Sequence, residues 1–267
     1  MKKEVYIMLT NEQITAVKGR GFLRNRGTDC FSGRVVAVAG LYTPHELHAI
    51  AECAEKFGNG KVIFTSRLSA EIVGIPYDKI PDAEAFLGER GLYFGGTGAK
   101  VRPITACKGT TCVFGNIDTQ GIAQIIHDKF YIGMREVKLP HKFKIGVGGC
   151  PNNCVKPNLN DLGIVGQKVP VVDTDKCKGC KICQLETACP VHVAHVENGK
   201  IVIDPEICKN CGRCVGKCPF EVTDHYISGY RVYLGGRWGK DFAHGKPMEK
   251  IFTSEAEVLS VVEKAIL

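Results

Sequence analysis

The apolar and polar positions lay out strands and helices in alternation. Residues 33–39 are almost continuously apolar and read as a buried strand. Thr43-Pro44-His45-Glu46 is a helix start, with Thr43 as N-cap, Pro44 in the first turn and Glu46 closing a capping box. Leu47, Ile50, Ala51, Ala54 and Phe57 follow at helical spacing, and Gly58 stops the helix. Residues 61–66 and 70–73 read as strands. A second helix turns Ile80, Ala83, Phe86 and Leu87 inward and ends near Gly91. This βαββα order predicts an α+β sandwich with helices on one sheet face. Further on, 101–105 is a strand and Asp118 or Thr119 caps a helix running to Lys129. Residues 142–145 alternate, so Lys142 and Lys144 share a strand face. Residues 230–234 form a strand. The last element is a helix over 254–266 with Val258, Leu259, Val262 and Ala265 inward.

Composition narrows the class. The chain has 267 residues, 44% hydrophobic and 24% charged, enough to bury a core in more than one small domain. No apolar run approaches a membrane span. Met1-Lys2-Lys3-Glu4 carries no secretory signal pattern. A cytoplasmic chain is expected. The net charge is +7, and residues 1–32 are basic, as a solvated arm would be. No nucleic-acid motif accompanies that charge. Gly95-Gly96-Thr97-Gly98 does not match the dinucleotide fingerprint.

The fourteen cysteines carry the chemistry. Only Cys30 and Cys53 stand alone, and both read as structural thiols. Cys177-x2-Cys180-x2-Cys183 precedes Cys189-Pro190, and Cys208-x2-Cys211-x2-Cys214 precedes Cys218-Pro219. In such a repeat three thiolates of one loop wrap a cubane, and the fourth cysteine ligates the other cluster. This is the pattern of a bacterial two-cluster ferredoxin. Cys177, Cys180, Cys183 and Cys218 therefore take one [4Fe-4S] cluster, and Cys208, Cys211, Cys214 and Cys189 the other. Two zinc sites are the alternative, but zinc commonly takes its ligands as well-separated pairs. His192 and His195 read as surface histidines. Cys107, Cys112, Cys150 and Cys154 lie in two Gly-rich loops and can hold a third [4Fe-4S] cluster.

At these loops the sequence resembles the siroheme-containing nitrite and sulfite reductases, above all the C subunits of the anaerobic sulfite reductases. The residues concerned are Gly149-Cys150-Pro151-Asn152-Asn153-Cys154, Asp161-Leu162-Gly163-Ile164-Val165-Gly166 and Leu139-Pro140-His141-Lys142-Phe143-Lys144. Arg102 ahead of Ala106-Cys107, and Leu234-Gly235-Gly236-Arg237, add to them. The resemblance implies that Cys154 bridges a cluster iron to the siroheme iron. It gives Arg102, Lys142 and Lys144 to the anionic substrate and its protons. Arg67, Asn152 and Arg237 fall to the siroheme. It also offers the basic N-terminal arm a role in closing on siroheme carboxylates. Two positions depart from the family: Cys107 and Cys112 are separated by four residues rather than five, and Val36 stands where an arginine often faces substrate. Arg34 lies two residues earlier on the same face.

The implied fold is α+β: a ferredoxin-like half-domain over 1–95, a siroheme and [4Fe-4S] domain over 96–167 plus 225–267, and an inserted two-cluster ferredoxin domain over 168–224. The insert carries eight basic and eight acidic residues, so the positive excess lies elsewhere, where an acidic cofactor and an oxyanion would bind. The implied activity is six-electron reduction of sulfite to sulfide, or of nitrite to ammonia. Electrons come from reduced ferredoxin or from a flavin or iron–sulfur partner subunit. The family pairs two copies of the sheet-and-cluster repeat, so this single copy is expected to form a homodimer or a larger assembly. The competing reading is a non-catalytic iron–sulfur electron carrier on the same scaffold. The absent arginine and the short cysteine spacing favour it, and Arg67, Arg102, Lys142 and Lys144 favour the enzyme.

Overall fold

A computed structural model of the chain describes residues 9–267. The backbone divides into two compact units. The first runs to Thr105 and takes in Gln124–Lys144; the second comprises Ala106–Ala123 and Ile145–Leu267.

The first unit opens on α1 (Asn11–Lys18), where the basic arm was expected. Thr10 and Gln13 form a full capping box at its start. Residues 1–8 of that arm lie outside the described residues. A four-stranded antiparallel sheet follows, built from β1 (Phe22–Arg24), β2 (Cys30–Val35), β3 (Val62–Phe64) and β4 (Ala70–Pro76) in the order β1-β2-β4-β3. The strand expected at 33–39 therefore starts earlier and stops at Val35. Ala39 and Gly40 take positive φ and turn the chain away before α2 (Pro44–Phe57). Both capping-box bonds of α2 form, Thr43 and Glu46 exchanging them at 3.2 and 2.6 Å. The helix α3 (Ile80–Gly88) completes the layer. Phe22, Phe31, Ile50, Ile72, Ile75, Ile80 and Leu87 are fully buried between sheet and helices. Each contributes roughly 1.5–3 kcal/mol of burial. Gly33 must lack a side chain, because the rings of Phe94 and Phe22 occupy the space of its Cβ at 2.6 and 2.9 Å.

The second unit is built on a five-stranded sheet, whose edge strand β5 (Thr105–Ala106) lies where the chain passes between units. The helix α4 (Thr119–Ile126) gives way to a wide π-helical turn over His127–Ile132. The sheet continues with β6 (Ile145–Gly148) and β7 (Leu162–Pro170). Residues 142–145 are not a continuous strand: Phe143 makes an isolated bridge to Val101, and regular pairing begins at Ile145. Only Phe143 is committed to that pairing, and Lys142 stays exposed. Residues 171–225 leave after β7 and return to β10 (Tyr226–Leu234), which pairs with β7 along its whole length, from Pro170↔Tyr226 to Leu162↔Leu234. The excursion contains α5 (Gln184–Ala188) and the hairpin of β8 (Ala194–Glu197) and β9 (Lys200–Ile203). It has its own core of Leu185, Val193, Ala194, Ile201 and Val222. A small hairpin, β11 (Arg237–Trp238) with β12 (Phe242–Ala243), precedes β13 (Lys246–Phe252). The sheet order is β13-β10-β7-β6-β5. The closing helix α6 (Glu255–Ile266) is capped by Ser254 and buries Val258, Val262 and Ile266. Among the described residues no helix is long and apolar enough to cross a membrane.

Candidate functional site

Two loops of the second unit bring four thiols together. Cys107 leaves β5 with its N–H on Val147 O (3.0 Å), and its carbonyl accepts from Thr119 Oγ1 (2.7 Å). A 3₁₀ turn over Gly109–Thr111 then brings Cys112 back, its N–H on Gly109 O at 3.2 Å. The tight turn accommodates the four-residue spacing. The second loop follows β6. Asn153 at φ +58° folds it back with its N–H on Cys150 O (3.2 Å), and its side-chain amide donates to Asn158 Oδ1 (2.7 Å). Asn116 N–H donates to Gly149 O at 2.8 Å, and Gly149 N–H to Cys107 Sγ at 3.2 Å, so the loops are tied to each other. A Cβ on either Gly109 or Gly149 would stand 2.8 Å from the other's Cα. Only glycine permits that approach.

Burial pushes the Cys150 thiol up. The N–H of Asn152 opposes this, and the neighbouring thiols of Cys154, Cys107 and Cys112 add to it. Those four sulfurs form one electrostatic group. Asn116 Nδ2 and Asn153 Oδ1 are buried beside the loops without a partner. An all-thiol donor set on a glycine floor fits a [4Fe-4S] cluster. Cys154 is exposed, whereas the other three are half-buried.

The remaining grouped cysteines line two cavities of the second unit. Cys177, Cys180, Cys183 and Cys218 line one cavity of about 160 Å³, closed by Leu185, Ile201 and Val222. Cys189, Cys208, Cys211 and Cys214 line another with Pro190, Val193 and Ile203. Backbone N–H groups aim at the sulfurs: Ile201 at Cys177 Sγ and Asn210 at Cys208 Sγ, both 3.4 Å. Burial would raise Cys189, but the N–H groups of Ala194, Val191, Val193 and His192 outweigh it and hold the thiol below its ordinary value. Burial pushes Cys214 up to about 11, with the thiols of Cys208, Cys211 and Cys189 adding to the rise. Among the described residues no three Cys, His, Asp or Glu side chains converge as ligands of a single metal ion would. The thiols line the walls of the two cavities.

The basic residues lie in the first unit, apart from Arg237. Arg67 Nη2 donates to Pro103 O at 3.0 Å, and Arg102 Nη1 donates to Gly96 O. Arg34 Nη1 donates to the same Gly96 carbonyl at 3.0 Å, so Arg34 and Arg67 both bond to the segment 96–103 that carries Arg102. Arg34 is also held by Glu71, through Nε at 2.9 Å and Nη2 at 2.6 Å. Burial, with the charge of Arg34, brings Arg102 down to about 10. Lys142 and Lys144 flank Phe143, which pairs beside Arg102: Arg102 N–H donates to Phe143 O at 2.8 Å. Arg237 is exposed on β11, beside Trp238. Val36 is buried and apolar. Sequence reasoning gave no role to Tyr131, whose hydroxyl accepts from Gly96 N–H at 3.0 Å. Its signal was the Gly95-Gly96 pair, which does not match the dinucleotide fingerprint.

The profile of the nitrite and sulphite reductase 4Fe-4S domain matches residues 97–267, and that of the nitrite/sulfite reductase ferredoxin-like half domain matches residues 24–90. A coenzyme F420-dependent sulfite reductase of Methanocaldococcus jannaschii is 35% identical over 229 residues, 85% of this chain and 36% of that protein. The C subunit of the anaerobic sulfite reductase of Salmonella typhimurium is 31% identical over 195 residues, 66% of this chain and 55% of that protein. The chain thus spans about a third of the first relative's length and about half of the second's. The crystal structure of dissimilatory sulfite reductase I shares the fold, with a TM-score of 0.66 at 22% identity over 87% of this chain and 61% of that one.

Proposed function

The chain belongs to the family of nitrite and sulfite reductases, and on that premise we propose that it is an iron–sulfur and siroheme oxidoreductase subunit acting on a small oxyanion, sulfite before nitrite. The observation that carries this reading is the meeting of Cys107, Cys112, Cys150 and Cys154 in two interlocked loops. When bound, the siroheme and the clusters supply the redox chemistry. Cys154 is the exposed thiol of the set and is the one that would hold the siroheme beside the cluster. Residues 168–224 act as an inserted ferredoxin domain with two [4Fe-4S] clusters, for three clusters in all. That segment takes electrons one at a time from reduced ferredoxin or from a flavin or iron–sulfur partner subunit.

The chain's own part is charge, orientation and protons. Sulfite takes up six electrons and releases its three oxygens as water, so each oxygen needs protons as it leaves. Arg102, Lys142 and Lys144 attract the oxyanion and the lysines donate protons, while Arg67, Asn152 and Arg237 hold the siroheme. The test is anaerobic purification followed by an absorption spectrum, acid extraction of pigment and sulfite turnover with a one-electron reductant. Extracted siroheme with turnover is the expected result; clusters without siroheme would sink the proposal. That second outcome would favour a non-catalytic electron carrier. Its supporting observation is Val36, apolar and buried where the family often places an arginine.

A further inference from the structure

The two cysteine groups of residues 168–224 repeat each other in sequence, but the second unit surrounds them differently. The loop of Cys208, Cys211 and Cys214 is fastened to the sheet. Lys168 N–H donates to Asn210 O at 2.8 Å, and Lys168 makes a parallel bridge to Cys211. Gly212 sits at φ +71°, and a Cβ there would lie 2.4 Å from Lys168 Cδ. The guanidinium of the next residue, Arg213, stands over the ring of Phe114 at 4.7 Å. This loop therefore touches the chain just beyond Cys112. On the same strand as Lys168, Gly166 packs against Gly149, whose carbonyl oxygen would lie 2.5 Å from a Cβ. Cys189 is buried and the other three thiols of the group are half-buried.

The group of Cys177, Cys180, Cys183 and Cys218 rests instead on the β8–β9 hairpin. Gly199 O would lie 2.5 Å from a Cβ on Gly179, and Lys200 Nζ donates to Cys177 O at 3.0 Å. Its outer side is open. Cys180 is exposed, and Ile182 and Phe220 line the cavity while 76% and 41% exposed. Lys178 lines the same cavity, Lys181 adjoins Ile182, and both lysines are exposed. The carboxylates nearby are engaged: Glu221 with Lys176 at 3.4 Å, and Glu186 with Val196 N–H at 2.7 Å. Among the described residues Lys178 and Lys181 have no ion pair. An apolar centre flanked by unpaired charge of one sign suits a transient partner of the opposite sign.

We propose that the rim formed by Lys178, Lys181, Ile182 and Phe220 is the docking surface for an acidic protein that carries a one-electron donor centre, and that the Cys177 group is the outer station and the Cys208 group the inner one. The direction of electron flow rests on the proposed function. One electron leaves the donor and reduces the outer station; it passes to the inner one and across the Arg213–Phe114 contact toward the loops of Cys107 and Cys150. No bond forms or breaks. Electron transfer falls steeply with distance, so the group fastened to those loops delivers and the open group receives. The lysines steer the donor, and the apolar pair seats it.

The test uses the full chain purified anaerobically with its cofactors, and a small acidic two-iron ferredoxin, in reduced form, as the probe. Stopped-flow absorbance reads the bleaching of the clusters at low and at high salt. Lys178→Glu combined with Lys181→Glu should slow reduction by the ferredoxin about tenfold or more at low salt and remove most of its salt dependence. Bleaching by dithionite, which needs no docking, should keep the parent's rate and extent. Lys246→Glu, on the edge strand β13, should change neither. Cys180→Ser should lose about four irons per chain and all reduction by the ferredoxin, while dithionite still bleaches the remaining clusters. If that variant does not fold, Arg213→Ala tests the order: the first phase of bleaching should hold the parent's rate and the later phase alone should slow. Undiminished reduction by the ferredoxin in the charge-reversed chain would overturn the surface. The same result in Cys180→Ser, or a slowed first phase in Arg213→Ala, would overturn the order of the stations. Dimers in sedimentation that Ile182→Glu dissociates would make a second copy the occupant and overturn the donor. Ferredoxin-driven bleaching in a protein without siroheme would uphold the surface and defeat the proposed function. Siroheme with dithionite-driven turnover, beside no effect of the charge reversal, would do the opposite.

Discussion

At the scale of single residues, the two classes of cysteine part company by environment. Cys53 is fully buried among apolar side chains, and burial pushes its thiol up to about 12. It is a core residue without thiolate chemistry. Cys53→Ser should leave iron and siroheme contents unchanged while costing about 1–3 kcal/mol in a denaturant titration, from the buried hydroxyl. Cys154→Ser should do the reverse: siroheme is lost or uncoupled in the absorption spectrum, while the clusters of 168–224 remain reducible by dithionite. An unaltered siroheme spectrum in that variant would remove the bridging role. His127 gives a pH dependence. It is buried, with Nε2 3.1 Å from the Tyr93 hydroxyl and Nδ1 unpartnered. Burial lowers its pKa below 6.5, against the opposing charge of Asp128. The unfolded chain then binds the proton more readily than the folded one, so the group takes nothing from stability above pH 6.5 and lowers it as pH falls from there toward the folded value. His127→Phe should flatten that part of the thermal-midpoint curve. A parent curve without a fall below pH 6.5 would contradict the assignment.

At the scale of elements, the helix α2 is set by its own first turn. Thr43→Ala removes the acceptor for Glu46 N–H and should lower stability by about 1 kcal/mol, read as a shift in denaturation midpoint at constant slope. The cysteine loops depend on a different constraint. Gly109 and Gly149 are pressed together at a distance no side chain tolerates. Gly149→Ala should part the loops, and reconstituted protein should lose the iron of one cluster while retaining the iron held within 168–224. Full iron content in that variant would show that the loops tolerate separation. The strand pair β7–β10 makes the excursion of residues 171–225 possible, because pairing from Pro170↔Tyr226 inward closes the sheet whatever the excursion contains.

At the scale of the whole molecule, twelve cysteines in three sets of four should give about twelve cluster irons per chain after reconstitution, four for each cluster. Stoichiometric zinc with little iron would exclude this. The family's pairing of two copies leads to a proposal about assembly: a homodimer in which siroheme sites are completed in trans. Mixing a Cys154→Ser chain with a Lys144→Ala chain should restore part of the turnover that both parents lack. A monomeric holoprotein with full turnover would refute it.

The grouping of the cysteines and the caps were legible in the sequence, because both are local devices. The cap of α2 joins residues three apart, and each cysteine loop closes over a few positions, so spacing alone constrains the geometry. Even the crossing of Cys189 and Cys218 between cavities follows from that local rule. Strand ends were less legible: β2 begins at Cys30 and stops at Val35, because where pairing stops depends on β1 and β4, not on the apolar run itself. The helix α1 was read as part of a basic arm, although Thr10 and Gln13 carried the signal of its start. The meeting of Arg34 and Arg102 on the Gly96 carbonyl, with Arg67 on the Pro103 carbonyl, was decided only by tertiary structure. Those residues are far apart in the chain, and no periodicity joins them. Sheet pairing and the packing of Tyr131 against Gly95 bring them to two carbonyls of the segment 96–103, and with them the charge that Glu71 only partly cancels.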